Sequence, residues 1–155
     1  MGKKQSVVLL RELPLLPVEE EGRLCDPRLR ESFVERIFAY RRLRALFQCR
    51  WTVGNLVRFH AGEKLLLLAH DPSSYGALGR LVARAKRLPR AQVEKSYGET
   101  FMHALRVAAT RGRNANALAH MAGYLKEELS RRARRRSSAS RSPTTSGASC
   151  PSSSR

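Results

Sequence analysis

Apolar residues recur at steps of three and four along this chain, and Asp-Pro pairs interrupt them; this pattern most constrains the fold. Phe33, Ile37, Tyr40, Leu43 and Phe47 follow the first Asp-Pro pair, and such spacing places side chains on one helix face. Aspartate caps a helix N-terminus, and proline suits the first helical position. No stretch alternates convincingly as a half-buried strand would. The sequence therefore predicts an all-α fold.

These signals divide the chain into about five helices, forming a compact bundle. We expect them at 27–48, 52–70, from 72 to shortly before Pro89, 91–109 and 114–129. Asp26 and Asp71 each precede a proline at a helix start, and Thr52 is the expected cap of the second helix. The apolar positions of the later helices are Leu56, Phe59, Leu66 and Leu67, then Tyr75, Leu78, Leu81 and Val82, then Val93, Tyr97, Phe101, Leu105 and Ala108, and finally Leu118, Met121, Tyr124 and Leu125.

Composition separates three regions. Residues 1–25 contain Pro14 and Pro17, which disfavour helix in the residue before them, so we expect an extended segment. Residues 26–130 form the helical domain. Residues 131–155 hold seven arginines and no acidic residue or aliphatic side chain larger than alanine. Such a segment buries too little apolar surface to offset its ordering entropy, so we expect a disordered tail.

The charge of the chain is strongly positive and uneven. The formal net charge is +17, of which 36–130 carry +11 and the Arg/Ser-rich tail +7, whereas the first 35 residues carry −1. This bias excludes an acidic, solvating protein. It favours a polyanionic partner, such as a nucleotide or a nucleic acid.

Cysteine usage and short apolar runs bear on compartment and cofactors. The three cysteines form no CxxC pair, so we expect no metal site and no cofactor in this chain, and a reducing cytoplasm. The runs 7–10 and 65–68 are too short for a signal peptide or a membrane span, and we expect no membrane partner. Residues 1–6 fit the permissive myristoylation pattern, for which a chance match is the alternative.

The first candidate site lies on the second predicted helix. His60, Glu63 and Lys64 share one face at spacings of three and four residues. His70 lies almost three turns beyond His60, which is too far for both rings to chelate one ion. The alternative for His60 is an ordinary hydrogen bond at a helix interface.

The second candidate site opens the last predicted helix. Arg111 and Arg113 flank Gly112 there, and backbone N–H groups and guanidinium forks at a helix start hold phosphate. Asn116, His120 and Tyr124 continue at steps of four. A solvated polar face is the alternative for that line.

Two further groups of charges are weaker candidates. The basic tract, Arg80, Arg84, Lys86, Arg87 and Arg90, suits a phosphate backbone, with a solvated face as the alternative. The acidic run 19–21 suits an acid/base role in a neighbouring domain, with a solvated turn as the alternative. No Ser–His–acid triad is apparent, so no catalytic residue is assigned.

Two sequence signatures connect the helical region to a known family. They comprise Phe59-His60, 64–70, Tyr75 and 78–83, then Ala109-Thr110-Arg111, Arg113, Ala115-Asn116, Leu118, His120 and Gly123-Tyr124. Over about 52–127 the chain resembles the YbgA-like bacterial domain of unknown function. Gly62-Glu63 and Asn114 depart from that pattern.

The segment 13–42 carries a second resemblance, through 14–24, Asp26-Pro27, 29–31 and 33–42. It is similar to the closing part of the thiouracil-desulfurase-like domain, which is often fused ahead of a YbgA-like domain. That family binds an iron–sulfur cluster through cysteines of a segment missing here, so the cluster would belong to the upstream domain. The chain thus looks truncated at both ends. An out-of-frame tail and a genuine RNA-binding arm are the two interpretations of 131–155.

Together these features predict a non-catalytic accessory domain. It would bind or position a nucleobase, nucleotide or other phosphate-bearing ligand for a fused or partner desulfurase-like enzyme. The candidate ligand residues are His60, Lys64, His70, Tyr75, Arg80, Arg111, Arg113, Asn116, His120 and Tyr124. The alternatives are an enzyme using His60 and His120 as acid/base groups, an RNA- or DNA-binding protein, and a membrane-surface protein held by its N-terminus.

Overall fold

The computed structural model describes residues 13–48 and 50–139, and this part of the chain contains six α-helices and no strand. They are α1 Pro27–Gln48, α2 Val53–Gly62, α3 Lys64–His70, α4 Pro72–Arg84, α5 Arg90–Ala104 and α6 Arg111–Ala139. Short 3-10 turns, Glu21–Cys25 and Ala85–Arg87, precede α1 and follow α4. The predicted all-α fold is confirmed.

Three helices begin at the predicted caps. The carboxylate of Asp26 accepts a hydrogen bond from the backbone N–H two residues later at 2.8 Å. Thr52 and Asn55 form a reciprocal capping box at the start of α2. Asp71 accepts from the backbone N–H of Ser73 at 3.1 Å. The Ser73 hydroxyl also donates to Asp71, and these hydrogen bonds lower the pKa of that carboxyl group.

The predicted second helix is two helices in the structure. α2 ends at Gly62, and α3 begins after Glu63, whose ψ of 3° departs from helical geometry. Glycine destabilises a helix interior because it loses more backbone entropy than other residues do. The chain therefore turns at this point rather than continuing straight to His70.

The boundaries of the last two helices also differ from expectation. α5 ends at Ala104 instead of 109, and α6 extends to Ala139 instead of ending near 129. Glu127 pairs with Arg131 at 2.6 Å, four residues apart, and such pairs stabilise a helix. Helical spacing of opposite charges thus carries α6 into the Arg/Ser-rich segment. Residues 1–12 and 140–155 lie outside the described residues.

The core is centred on α5. Val93, Tyr97 and Phe101 are fully buried there, against Leu43 of α1 and Leu78 of α4. Aromatic edge-to-face contacts link Tyr97 with the rings of α1 and α2. The predicted apolar positions of α5 as far as 105 therefore face the core.

The predicted apolar face of α1 is wrong at one position. Ile37 is 41 % exposed, beside the exposed Val34 and Phe38, whereas Ala39 is fully buried. At 100° per residue, Ile37 lies about 160° around the helix from Ala39. The small alanine side chain faces the core, so the bulky residues on the opposite side of α1 face solvent.

The segment before α1 is attached to the bundle at two points. Leu15 packs against Gly98 of α5, and Glu19 accepts a hydrogen bond from Arg36 at 2.7 Å. Glu19 also pairs with Arg23. The side chains of Glu19 and Arg36 are only 11 % and 12 % exposed. Glu19 therefore belongs to a partly buried ion pair rather than to a fully solvated acidic turn.

The chain divides into two compact units, 1–120 and 121–155, with the boundary inside α6. The first unit contains the whole core described above. In the described part of the second unit, Met121, Tyr124, Leu125 and Leu129 are exposed, so the apolar positions predicted there are not core positions. Within 13–48 and 50–139, no helix has the length and apolar character needed to span a membrane.

The close contact between Leu15 and Gly98 yields a first prediction. A Cβ added at Gly98 would lie 2.8 Å from Cδ1 of Leu15, so Gly98→Ala displaces that side chain. In a helix interior, glycine to alanine otherwise gains about 1 kcal/mol. We expect Gly98→Ala to be more favourable, by about 1 kcal/mol, in a Leu15→Ala background than in the wild type. Urea unfolding of the four proteins measures this coupling; equal effects in both backgrounds would contradict it.

Candidate functional site

The structure separates the predicted polar residues of 60–70 into two places. The first, the inner cluster, comprises His60, Glu63, Tyr75 and Tyr97 with Arg42. The second is a cavity beside His70, which we call the His70 cavity. His60 and His70 are thus not parts of one site.

His60 is enclosed by aromatic rings and backbone. Tyr75 stacks on its imidazole, with ring centroids 4.7 Å apart and planes 7° apart. Nδ1 lies 3.2 Å from the hydroxyl oxygen of Tyr97. A Cβ on Gly79 would stand 3.5 Å from Nε2, at ordinary van der Waals distance, so α4 packs against this edge of the ring. The ammonium group of Lys64 lies over the ring of Tyr75, with Nζ 5.9 Å from the ring centroid.

Burial controls the protonation of the inner cluster. Desolvation lowers the pKa of His60, which favours the neutral ring. Burial is the main cause that raises the pKa of Tyr97, and electrostatic interactions with Glu63 and Tyr75 raise it further. The Tyr97 hydroxyl therefore stays protonated and is able to donate to Nδ1 of His60.

An ion pair closes the inner cluster at the α2–α3 corner. Arg42 donates from Nε to Oε1 of Glu63 at 2.5 Å and from Nη2 to Oε2 at 2.8 Å. The Glu63 side chain is 8 % exposed and that of Arg42 is 49 % exposed. The hydrogen bond to Glu63 raises the pKa of Arg42. This bidentate geometry, with the histidine enclosed, indicates a structural role for the inner cluster.

The His70 cavity is about 620 Å³ in volume and lies between α1, α3 and the start of α6. Two arginines, two glutamates, a histidine and several small polar side chains share its wall. The lining residues are Arg28, Glu31, Ser32, Glu35, Leu66, Ala69, His70, Ala108, Ala109, Thr110, Arg111 and Asn114. The cavity therefore combines both signs of charge with hydroxyl and amide groups.

His70 is 1 % exposed and is held at both ring nitrogens. Nδ1 lies 2.7 Å from the carbonyl oxygen of Val107, and Nε2 lies 3.3 Å from Oε2 of Glu35. Because a carbonyl oxygen only accepts, Nδ1 is assigned the proton.

The start of α6 is tied to the end of α3. Arg113 donates from Nη1 to the carbonyl oxygen of His70 at 2.6 Å, satisfying a carbonyl group at the C-terminus of α3. Thr110 accepts from the backbone N–H of Arg113 at 3.3 Å. Arg113 thus holds two helices together, while Arg111 faces the cavity.

Of the ten predicted ligand residues, His70 and Arg111 line the His70 cavity, and Arg113 donates to the backbone of His70 beside it. His60 and Tyr75 stack in the inner cluster, and Lys64 lies over the ring of Tyr75. Arg80 is exposed on α4 with the rest of the basic tract, and Asn116, His120 and Tyr124 are exposed on α6.

Sequence reasoning missed the residues that α1 gives to the cavity. Arg28, Glu31, Ser32 and Glu35 follow one another at spacings of three, one and three, so they share a helix face. That spacing was visible in the sequence, but only the packing of α1 against α3 and α6 indicates a site. No group of three or more His, Cys, Asp or Glu side chains within the described ranges could hold a metal ion.

The buried carboxylate of Glu63 yields a second prediction. Arg42→Ala leaves that charge unpaired, and we expect the free energy of unfolding to fall by about 1–3 kcal/mol. Adding Glu63→Gln should recover at least half of the loss, because a neutral amide is easier to bury. Chemical denaturation measures both variants. Arg41→Ala, at the exposed neighbour, is the control; a double variant as unstable as Arg42→Ala would refute the unpaired-charge explanation.

The depressed pKa of His60 yields a third prediction. Because its pKa in the folded protein lies below the ordinary value of 6.5, the unfolded chain binds more protons as the pH falls. The stability is therefore complete above pH 6.5 and is lost below it, by at most about 1.4 kcal/mol per pH unit. His60→Gln should flatten the change in unfolding free energy between pH 7.5 and 5.5. Exposed His103→Gln should not; an unchanged slope in the His60 variant contradicts the assignment.

Comparison with known proteins identifies the second half of the described chain. Residues 64–140 match the family model described as "Protein of unknown function (DUF1722)", which spans α3 to α6. No curated protein and no solved structure matches. Part of the His70 cavity, contributed by α1, lies outside the matched residues. Over residues 64–140 the chain is thus similar to the DUF1722 family.

Proposed function

We propose that this protein binds a small phosphate-bearing ligand, such as a nucleotide, in the His70 cavity and does so without catalysis. The observation that carries the proposal is that Arg28 of α1 and Arg111 of α6 both line the cavity. Neither forms an ion pair with any residue in the described part of the chain. Two such guanidinium groups suit an anionic ligand group.

Other features of the cavity suit the same ligand. Ser32, Thr110 and Asn114 supply hydroxyl and amide groups along the wall. Arg111 is the first residue of α6, where the helix dipole favours an anion. A volume of about 620 Å³ lies in the usual range of small-molecule sites, about 300–1,000 Å³.

The proposed context is a YbgA-like domain that presents its ligand to a desulfurase-like domain, fused or separate. The support is the resemblance of 13–42 to the closing part of such a domain. That segment includes the part of α1 that lines the cavity, and its first residues contact the bundle through Leu15 at Gly98 and Glu19 at Arg36. A preceding desulfurase-like domain would therefore be joined to an element of the cavity wall.

The other proposed functions receive less support. An acid/base role for His60 conflicts with its enclosure between Tyr75, Tyr97 and Gly79. A role in nucleic-acid binding rests on the exposed basic tract, which begins on α4 and continues to the start of α5. There Arg84 donates to the backbone oxygen of Arg80 at 3.4 Å, so part of its donor capacity is used internally.

The proposal predicts that nucleoside 5′-monophosphates bind and that binding depends on the cavity arginines. Isothermal titration calorimetry at low salt should show each of Arg28→Ala and Arg111→Ala weakening the affinity at least about tenfold, as expected for a charge-assisted hydrogen bond. Arg84→Ala, which removes a similar charge from the basic tract, is the matched control and should bind as the wild type does.

Two outcomes would reject the proposal. If no phosphate compound binds at low salt, the His70 cavity is not a phosphate site. If Arg84→Ala weakens binding as much as Arg111→Ala does, the ligand is held by the overall basic field, and the nucleic-acid interpretation replaces the cavity. A steep salt dependence with single-stranded RNA would support that replacement.

A further inference from the structure

We infer that the ligand of the His70 cavity is a mononucleotide whose base presents an N–H donor to Glu35, rather than a polyphosphate or a nucleic-acid backbone. This inference rests on the proposed function, since it assumes that a phosphate group occupies the arginine side of the cavity. It adds the group on which specificity depends, and it assigns that role to residues of α1.

The wall of the His70 cavity carries both signs of charge. The chain has 30 basic and 13 acidic side chains, yet Glu31 and Glu35 line this cavity together with Arg28 and Arg111. Two carboxylates at the wall repel a ligand with several phosphates. A ligand with a single phosphate and a donor group elsewhere matches the wall without that repulsion.

The arginines and glutamates that line the cavity do not form ion pairs with one another. Arg28 and Glu31 lie three residues apart on α1, but they are not within ion-pair distance. Neither Glu31 nor Glu35 pairs with Arg111. Both kinds of charge thus remain available to a ligand that reaches from one to the other.

The carboxylate of Glu35 is oriented by His70. Its Oε2 faces Nε2 of His70 at 3.3 Å, and His70 is fixed by the Val107 carbonyl group at 2.7 Å. Oε1, the second oxygen of this carboxylate, has no partner among the described residues and only accepts hydrogen bonds, so the ligand group that meets it must be a donor.

The separation of Arg28 and Glu35 argues for a nucleotide. They are seven residues apart on one helix, which separates their backbones by about 10 Å along its axis. A ribose and base can connect a phosphate at one end with an N–H group at the other. A two-carbon linker, as in phosphoethanolamine, covers less of this distance.

Calorimetric titration with ribose 5-phosphate, the four common ribonucleoside 5′-monophosphates and tripolyphosphate tests the inference. At least one nucleotide should bind about tenfold or more tightly than ribose 5-phosphate, as expected for one hydrogen bond to a charged group. Glu35→Met, which removes both acceptor oxygens, should reduce that preference to below about threefold without weakening the binding of ribose 5-phosphate. Glu99→Met, at an exposed position of α5, should preserve the preference.

The other outcomes separate this inference from the proposed function. Equal affinities for nucleotides and ribose 5-phosphate, still lost in Arg111→Ala, would overturn the donor role of the base and leave the phosphate site in place. Tighter binding of tripolyphosphate, or of phosphoethanolamine, than of every nucleotide would also overturn it. If none of these compounds binds, both the site and its specificity are rejected.

Discussion

The buried carboxylate of Glu63 is the constraint on which the arrangement of the first unit depends. It stands where α2 ends and α3 begins, with its side chain 8 % exposed. A charge removed from water at this level requires a partner, and Arg42 of α1 supplies two hydrogen bonds. The corner between α2 and α3 is therefore joined to α1 by a bidentate contact that fixes both position and direction.

That contact sets the environment of both histidines. On one side of the corner, α2 directs His60 into the core, where it meets Tyr97. On the other side, α3 ends at His70, which faces Glu35 of the same α1 helix. Because α1 contributes both Arg42 and Glu35, its register against the corner determines which of its side chains reach the cavity. A shift of one residue would put Val34 or Arg36 at the cavity in place of Glu35.

Local features of the chain were predictable from sequence, and features that depend on packing were not. The caps at Asp26, Thr52 and Asp71 bind backbone groups within three residues of themselves, so the local sequence alone located them. Glu63 was predicted to share a polar helix face with His60 and Lys64, but its ion pair with Arg42 was not predicted, because that partner lies 21 residues away. The spacing of large apolar residues correctly placed Leu43 of α1 in the core, but it also predicted Ile37 there, which is exposed, and it missed the small, buried Ala39.

The candidate site shows the same division. The start of α6 was predicted as a phosphate site from its arginines and glycine, and Arg111 does line the large cavity. Arg113, two residues on, is directed to the end of α3 instead. The residues that α1 contributes to the cavity wall could be identified only from the tertiary structure. It also lies outside the matched DUF1722 residues, so the family domain alone contains only part of the cavity wall.

The outward face of α1 has a consequence for handling the protein. Val34, Ile37 and Phe38 are 43 %, 41 % and 55 % exposed on a chain with a net charge of +17. At low ionic strength, mutual repulsion keeps molecules apart despite these apolar side chains. In 1 M salt the Debye length shortens to about 3 Å, and that repulsion is screened. Colloidal stability should therefore decrease as salt is added, the reverse of the behaviour of a protein that salt disperses.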